Sequence, residues 1–417
     1  MESALKIFSI DAMILVQGVG NLSREHLTGW KNQSAKIAVI HPDTESAEKE
    51  ARKLNGVIDF EFTAEESPGK KKKQPAEILK KVIEESRVSP KKAALVSEDP
   101  GFISGARRMG LALVIGIRQQ IPGRRNLYDR GAHLVLERLE DISVYRGGDT
   151  ECSFTQNLPN VFTDLNKFET PFSDRKPVFF LDYDGTLAPI VRDPSSAFLP
   201  EQTRVLLKSL ARLYTVAVVS GRDMDDIKQF IGLDQLIYAG SHGFRISGPG
   251  GLYMEHEKAR TLLSELDRFE QHLRKTVGKE IDGVEVERKY FAIAVHYRNA
   301  PPKTLDRIRE EADHLIGCNS DFKKGRGKKI LEIKPSLEWH KGKAVEWILK
   351  KLDYSDPEQY IPVYIGDDVT DEDAFRTLSD DGIGILVGTH SIPSAAHYQL
   401  RDVEQVNKFL HYMVHSA

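Results

Sequence analysis

Two aspartates separated by one residue, Asp182 and Asp184, follow the apolar run Val178-Phe179-Phe180-Leu181, and Gly185 comes directly after them. Carboxylates this close repel one another unless a cation lies between them, and Mg²⁺ with oxygen ligands is the natural choice. Asp182 is then a candidate nucleophile and Asp184 a candidate general acid. Taken alone, the same pattern also describes a turn carrying two solvated acids. A second cluster, Gly366-Asp367-Asp368-Val369-Thr370-Asp371-Glu372-Asp373, follows Val363-Tyr364-Ile365 and places five acids in seven consecutive positions. Helix N-capping accounts for one or two acids, not for five. Between the clusters, Ser220-Gly221-Arg222 offers a hydroxyl and helix N-terminal amides to a phosphate, and Lys341-Gly342 offers an ammonium at the head of the helical stretch Lys343 to Lys350. A lone serine or lysine is ordinarily structural or solvated. The information lies in the four elements together, in this order.

Three of the four elements are delivered by short apolar runs. Val178 to Leu181, Val216 to Val219 and Val363 to Ile365 lack alternation, as strands buried on both faces of a parallel sheet do. Helical patterns lie between them: Val205, Leu206, Leu210 and Leu213 on one face after Pro200, and Met224, Ile227, Phe230 and Ile231 before Gly232. Alternating strands and helices predict a doubly wound, Rossmann-like α/β core, in which chemistry gathers at the carboxyl ends of the strands. From about Gly248 to Ser336 the pattern changes. Two amphipathic helices, marked by Leu262, Leu263, Leu266, Phe269 and Leu273 and by Leu305, Ile308, Ala312 and Leu315, flank half-exposed strands within Val284 to Tyr297 and at Ile330 to Lys334. This predicts a small α+β module inserted in the core and able to act as a lid.

The ordered set resembles the haloacid dehalogenase superfamily, and within it the trehalose-6-phosphate phosphatases. The residues that carry the likeness are Leu181 to Leu187, Ser220-Gly221-Arg222, Gly240-Ser241-His242-Gly243, Glu287-Arg288-Lys289, His296-Tyr297-Arg298, Leu331 to Pro335, Lys341-Gly342-Lys343 and Gly366 to Glu372. The resemblance covers about Lys176 to the C-terminus. It implies a catalytic core at 176–247 and 337–417 with a cap at 248–336. It also implies an aspartyl-phosphate on Asp182, with Asp184 protonating the leaving sugar oxygen and then activating water. Mg²⁺ would be held by Asp182, Asp367 and the backbone carbonyl of Asp184. Lys341 and Ser220 would offset charge on the phosphoryl oxygens, and Asp371 and Asp368 would orient groups behind the metal. Gly221, Arg222 and His242 are expected on the phosphate side of the cleft. Glu287 and Lys289 are two residues apart and share a strand face. With Glu332, they are expected to bind the disaccharide. Sucrose phosphate and mannosylglycerate phosphate are alternative substrates, and a non-catalytic trehalose-phosphate sensor is an alternative role.

Residues 1–145 form another α/β unit, with strands at Ala93 to Val96 and Leu111 to Ile117. Phe8-Ser9-Ile10-Asp11-Ala12-Met13 resembles a degenerate version of the first motif at a strand end, with Met13 in place of the second acid. His41, after Ala38-Val39-Ile40, stands where a phosphate-binding hydroxyl is expected, and Gln74 to Leu79 and Val96 to Gly101 resemble the later motifs. The expectation is a catalytically inert haloacid dehalogenase-like domain, joined by a polar linker at 146–175.

The 417 residues carry a net charge of −3, which argues against nucleic acid or an anionic membrane as the main partner. The run Lys70 to Lys73 is local and suits a solvated loop. Cys152 and Cys318 show neither disulfide nor metal-ligand spacing. The apolar stretch Ile7 to Val19 is interrupted by Asp11 and is too short to span a bilayer. A cytoplasmic enzyme acting on a small sugar phosphate is the resulting expectation. The oligomeric state is not legible.

Overall fold

The computed structural model describes residues 5–9, 13–17, 23–33, 35–54, 56–64, 74–118, 123–146, 153–163, 165–191, 196–327, 329–390 and 392–416. The chain divides into two compact units: Met1–Ser173 with Ile361–Arg401, and Asp174–Tyr360 with Asp402–Ala417. Both are α/β. Among the described residues no helix is long and apolar enough to cross a membrane.

The second unit contains the strand Lys176–Leu181, paired in parallel with Thr215–Val219, which pairs in parallel with Ile237–Gly240. Two short antiparallel strands, Arg245–Ser247 and Tyr253–Glu255, extend this sheet. Val178 to Leu181 and Val216 to Val219 are all buried, as uninterrupted apolar runs predict for strands covered on both faces. The helix Glu201–Leu213 differs from expectation. Its buried stripe is Thr203, Leu206, Leu207 and Leu210, while Val205 and Leu213 are exposed. Thr203 takes a place in the stripe because its hydroxyl donates to Asn407 Oδ1 at 2.8 Å, so a polar residue is tolerated where the apolar pattern called for a hydrocarbon.

Residues 285–335 form a four-stranded antiparallel sheet in the order Glu285–Lys289, Ala292–His296, Ile330–Pro335, Phe322–Gly327. The helices Leu263–Leu273 and Leu305–Cys318 cover one face, burying Leu266, Phe269, Leu273, Ile308 and Ala312 against Val286, Ile293, Val295 and Ile333. The other face bears Glu287, Lys289, Glu332 and Lys334, with Ala292 and Ala294 on the strand between them.

In the first unit, six strands form an all-parallel sheet in the order Phe60–Thr63, Lys36–His41, Met13–Gln17, Ala93–Ser97, Leu113–Ile117, Leu134–Leu136. A separate three-stranded sheet places Leu5–Ser9 between Ile142–Arg146 and Ser153–Gln156. This corrects the expectation for the degenerate first motif. Met13 opens a central strand of the parallel sheet rather than following its carboxyl end, and the strand before it, Leu5–Ser9, belongs to the other sheet. Asp11 lies outside the described residues. His41 does close its strand and is buried. The stretch 146–175, expected as a linker, contributes the strand Ser153–Gln156 and the short helix Leu165–Glu169. Phe168 of that helix is buried, edge-on to Tyr398. The same unit contains the parallel strands Tyr360–Gly366, Ile383–Val387 and Tyr398–Leu400, and the helix Glu372–Thr377.

The corrected stripe of the helix Glu201–Leu213 is testable by denaturant unfolding. Leu210→Ala should cost about 2–5 kcal/mol, the usual range for a fully buried leucine. Leu213→Ala should stay within about 0.5 kcal/mol, as exposed positions do.

Candidate active site

Asp182 is the first residue after the buried strand Lys176–Leu181. Beyond it, the Leu187 and Ala188 amides donate to the Tyr183 carbonyl at 2.9 Å, and the Gly185 amide donates to the Ala188 carbonyl at 2.8 Å. Gly185 has φ of 82°, a left-handed conformation that suits glycine. Tyr183 is driven into the core, where its hydroxyl donates to the Ala197 carbonyl at 2.6 Å. Lys341 opens the helix Lys341–Lys351, and its Nζ lies 2.9 Å from Asp182 Oδ1 with both side chains buried. Either charge would be costly in that setting without the other. Asp184 is more open. Arg222 holds it with two hydrogen bonds, from Nε to Oδ2 and from the terminal nitrogen to Oδ1, each 2.6 Å. The Arg222 guanidinium also lies over the rings of Tyr183 and Phe230.

Two loops lock together beneath this pair. The His242 amide donates to the Ser220 carbonyl at 2.8 Å, and the Ser241 amide donates to the Arg222 carbonyl at 2.6 Å. Ser220 is buried, and its Oγ accepts from the Arg222 amide at 3.2 Å. A side chain at position 221 would meet His242 Cε1 at 2.9 Å, so Gly221 lets the loops close. Burial, reinforced by Lys341, Lys334 and Lys289, pushes the His242 pKa down to about 3. The imidazole is therefore neutral at physiological pH and cannot serve there as a cationic phosphate ligand.

A cavity beside His242 is walled by Phe244, Phe291, Lys289, Glu332 and Lys334, and it holds only about 20 Å³ of water-accessible space. Lys289 Nζ lies 3.4 Å from Glu332 Oε1, and Lys334 Nζ lies 3.5 Å from Glu332 Oε2. Glu287 shares their sheet face but is not part of the cavity wall, and it pairs with His296 at 2.7 Å. Asp223 escaped the sequence reading. It stands at the N-cap of the helix Met224–Ile231 but makes no side-chain bond to that helix. Instead Oδ1 accepts from Ser241 Oγ at 2.6 Å and Oδ2 from the Tyr290 amide at 2.8 Å. It therefore ties the loop after Ser220 to the hairpin carrying Lys289. Position in the sequence, directly after Ser-Gly-Arg, was its one available signal, and that signal reads equally as an ordinary cap. Lys334, two residues beyond Glu332, was legible by strand alternation.

In the first unit, Asp367 follows the strand Tyr360–Gly366. A Cβ at Gly366 would sit 2.3 Å from Asp371 Cγ, so only glycine lets Asp371 fold back across the strand end. Asp371 is buried. It accepts from the Tyr364 hydroxyl at 2.6 Å and the Asp368 amide at 3.0 Å. Asp368 is exposed and caps the turn, its Oδ1 accepting from the Val369 amide at 2.8 Å. Glu372, also buried, accepts from Ser394 Oγ at 2.6 Å and the Ala395 amide at 2.8 Å, and its Oε1 lies 3.0 Å from His390 Nε2. Burial alone would lower the His390 pKa, but the hydrogen bond and charge of Glu372 outweigh that and raise it.

Carboxylate oxygens of Asp367 and Asp371 lie within 4.8 Å of one another, and such a pair at a strand end fits a hard divalent cation with oxygen ligands.

Comparison with known proteins decides the family. Residues 180–405 match the model of the trehalose-phosphatase family. This chain belongs to that family. A trehalose-phosphate phosphatase of Mycobacterium marinum is 37% identical over 301 residues, covering 72% of this chain and 74% of that protein. A Mycobacterium tuberculosis trehalose-phosphate phosphatase is 36% identical over 303 residues, covering 72% and 75%. In fold, the chain is similar to the C-terminal domain of Candida albicans trehalose-6-phosphate phosphatase, with a TM-score of 0.51 at 22% identity over 63% of this chain and 100% of that one. The matched span includes all four elements singled out from the sequence, from Asp182 to the acids at Asp367 to Asp373.

The state of His242 can be read by NMR. Its ring resonances should not titrate between pH 5 and pH 8. Because its folded pKa lies below the unfolded value near 6.5, the unfolded chain takes the proton first as the pH falls. The stability this histidine contributes is thus present above about pH 6.5 and is lost toward pH 3, at about 1.4 kcal/mol per pH unit. A ring that titrates near pH 6.5 would contradict the burial described.

Proposed function

We propose that the chain hydrolyses trehalose 6-phosphate to trehalose and phosphate, through an aspartyl-phosphate at Asp182 and with Mg²⁺ as cofactor. The observation that carries this reading is the buried Asp182–Lys341 pair at a parallel strand end. Asp182, Asp367 and Asp371 would hold the ion, directly or through water. When bound, it would supply charge neutralisation that lets a carboxylate approach a phosphate dianion.

In this reading Asp182 attacks phosphorus, with Lys341 and Ser220 beside the phosphoryl oxygens. Asp184 would donate a proton to the sugar oxygen, and in the structure both of its carboxylate oxygens are held by Arg222. An incoming phosphate would compete for that guanidinium and free the Asp184 carboxyl to face the leaving oxygen. It can then take a proton from the water that cleaves the aspartyl-phosphate.

We take residues 248–336 as the cap. Its charged face suits a polyhydroxyl sugar: Lys289, Glu332 and Lys334 form charge-assisted hydrogen bonds over a floor kept low by Ala292 and Ala294. The cavity as it stands is narrow, and a moving cap would widen it for a disaccharide. Asp223 is the hydrogen-bonded tie that such an opening must break or carry along. Glu287 would join the sugar contacts only on leaving His296.

Phosphate release from trehalose 6-phosphate should require Mg²⁺, stop with EDTA and resume on adding Mg²⁺ back. Asp182→Asn should lower kcat by orders of magnitude in a folded protein; near wild-type turnover would end the covalent reading. Glu332→Ala should lower kcat/KM for trehalose 6-phosphate roughly ten- to hundred-fold, the worth of one charge-assisted hydrogen bond, and leave a small generic phosphate ester nearly untouched. Equal losses on both substrates would remove the sugar-binding role.

A further inference from the structure

Gln156, the last residue of the strand Ser153–Gln156, meets the backbone of Ser394 with both ends of its amide. Its Nε2 donates to the Ser394 carbonyl at 2.8 Å, and its Oε1 accepts from the Ser394 amide at 2.7 Å. Ser394 is buried, and its hydroxyl donates to Glu372 Oε1 at 2.6 Å. The Ala395 amide holds the other oxygen of the same carboxylate at 2.8 Å. Glu372 is fully buried and is covalently next to Asp371, which is fixed by Tyr364 and the Asp368 amide. A run of short hydrogen bonds thus leads from the strand 153–156 to the acids of the proposed metal centre. Phosphate chemistry does not need Glu372, since its carboxylate is spent on Ser394, Ala395 and His390.

We propose that Gln156 is a positioning residue for metal binding: through Ser394 and Glu372 it holds the segment carrying Asp367 and Asp371 in its ion-binding arrangement. The inference rests on the metal reading given above. It gives the N-terminal part of the chain a task. That part would do no chemistry itself but would set how well the acids are arranged before an ion arrives. A side-chain amide suits this work because it satisfies a backbone N–H and C=O together, as a neighbouring strand would. A second contact of the same first unit is independent of this path. Asp380 accepts from the amides of Gly123, Arg124 and Arg125 at 3.0–3.3 Å, capping the helix Arg124–Asp129.

The test is Mn²⁺ binding to the full chain without substrate, free Mn²⁺ being read by electron paramagnetic resonance, alongside thermal unfolding. Gln156→Leu and Ser394→Ala should each weaken Mn²⁺ binding about tenfold, in the range seen when groups behind metal ligands are removed. The double variant should lose little more than either single one, as members of one path do. Ser394→Thr, which keeps the hydroxyl, should restore most of the affinity. Asp380→Asn should lower the unfolding temperature but leave the Mn²⁺ affinity within about twofold. Wild-type Mn²⁺ affinity in both Gln156→Leu and Ser394→Ala, with lowered unfolding temperatures, would overturn the proposal and leave Gln156 as a structural contact only. If Gln156→Leu does not fold, Ser394→Ala alone decides. A wild-type chain that binds no Mn²⁺ would remove the metal reading and this inference together.

Discussion

Negative charge held close together is the constraint on which this protein is organised. Carboxylates gathered at buried strand ends are unstable unless other groups offset them. The chain answers locally at each acid. Lys341 is brought into the interior to meet Asp182, Arg222 takes both oxygens of Asp184, and Asp371 spends its oxygens on Tyr364 and the Asp368 amide. The glycines at 185 and 366 follow from the same demand. One permits the reversed turn after the first pair of acids, and the other removes the side chain that would stand in the place of Asp371.

The charged face of the four-stranded sheet follows a different logic. Its charges are arranged as a lysine–glutamate–lysine row, with Glu332 between two ammonium groups. None of the three is deeply buried, so no large desolvation cost is frozen in. Ala292 and Ala294 lie on the strand between the charged residues and keep the floor of this face low. Asp223 ties the loop after Ser220 to the hairpin that carries Lys289.

The elements that carry chemistry were legible because their constraints are local. A strand buried on both faces must be apolar throughout, and the acid that ends it is conspicuous for that reason. Asp182, Ser220 and Asp367 each follow such a strand, whereas Lys341 opens a helix. Other features answer to groups distant in the chain. Thr203 sits in a buried stripe because Asn407 is there to receive its proton. Asp223 looks like a helix cap and caps nothing on its own helix. Glu372 reads as one more acid in a cluster, and only its burial against Ser394 and His390 separates it from its neighbours. Met13 was misplaced because one strand, Leu5–Ser9, precedes the strand that begins the parallel sheet, and apolar spacing does not say which of the two is central. His242 was expected near phosphate and does lie beside Lys341, but its surroundings strip it of charge.

The near-closed cavity beside His242 bears on how the protein can be inhibited. If the proposed cap opens to admit substrate, a competitive inhibitor would meet the open form first, and its apparent dissociation constant would be its intrinsic one divided by the fraction of molecules that are open. Compounds shaped to the open cleft would associate at ordinary rates. Compounds that also draw Lys289 and Glu332 down upon themselves would leave slowly, because departure would wait on the lid. Residence time, rather than affinity alone, is then the property that separates an inhibitor reading this protein from one that merely carries a phosphate mimic.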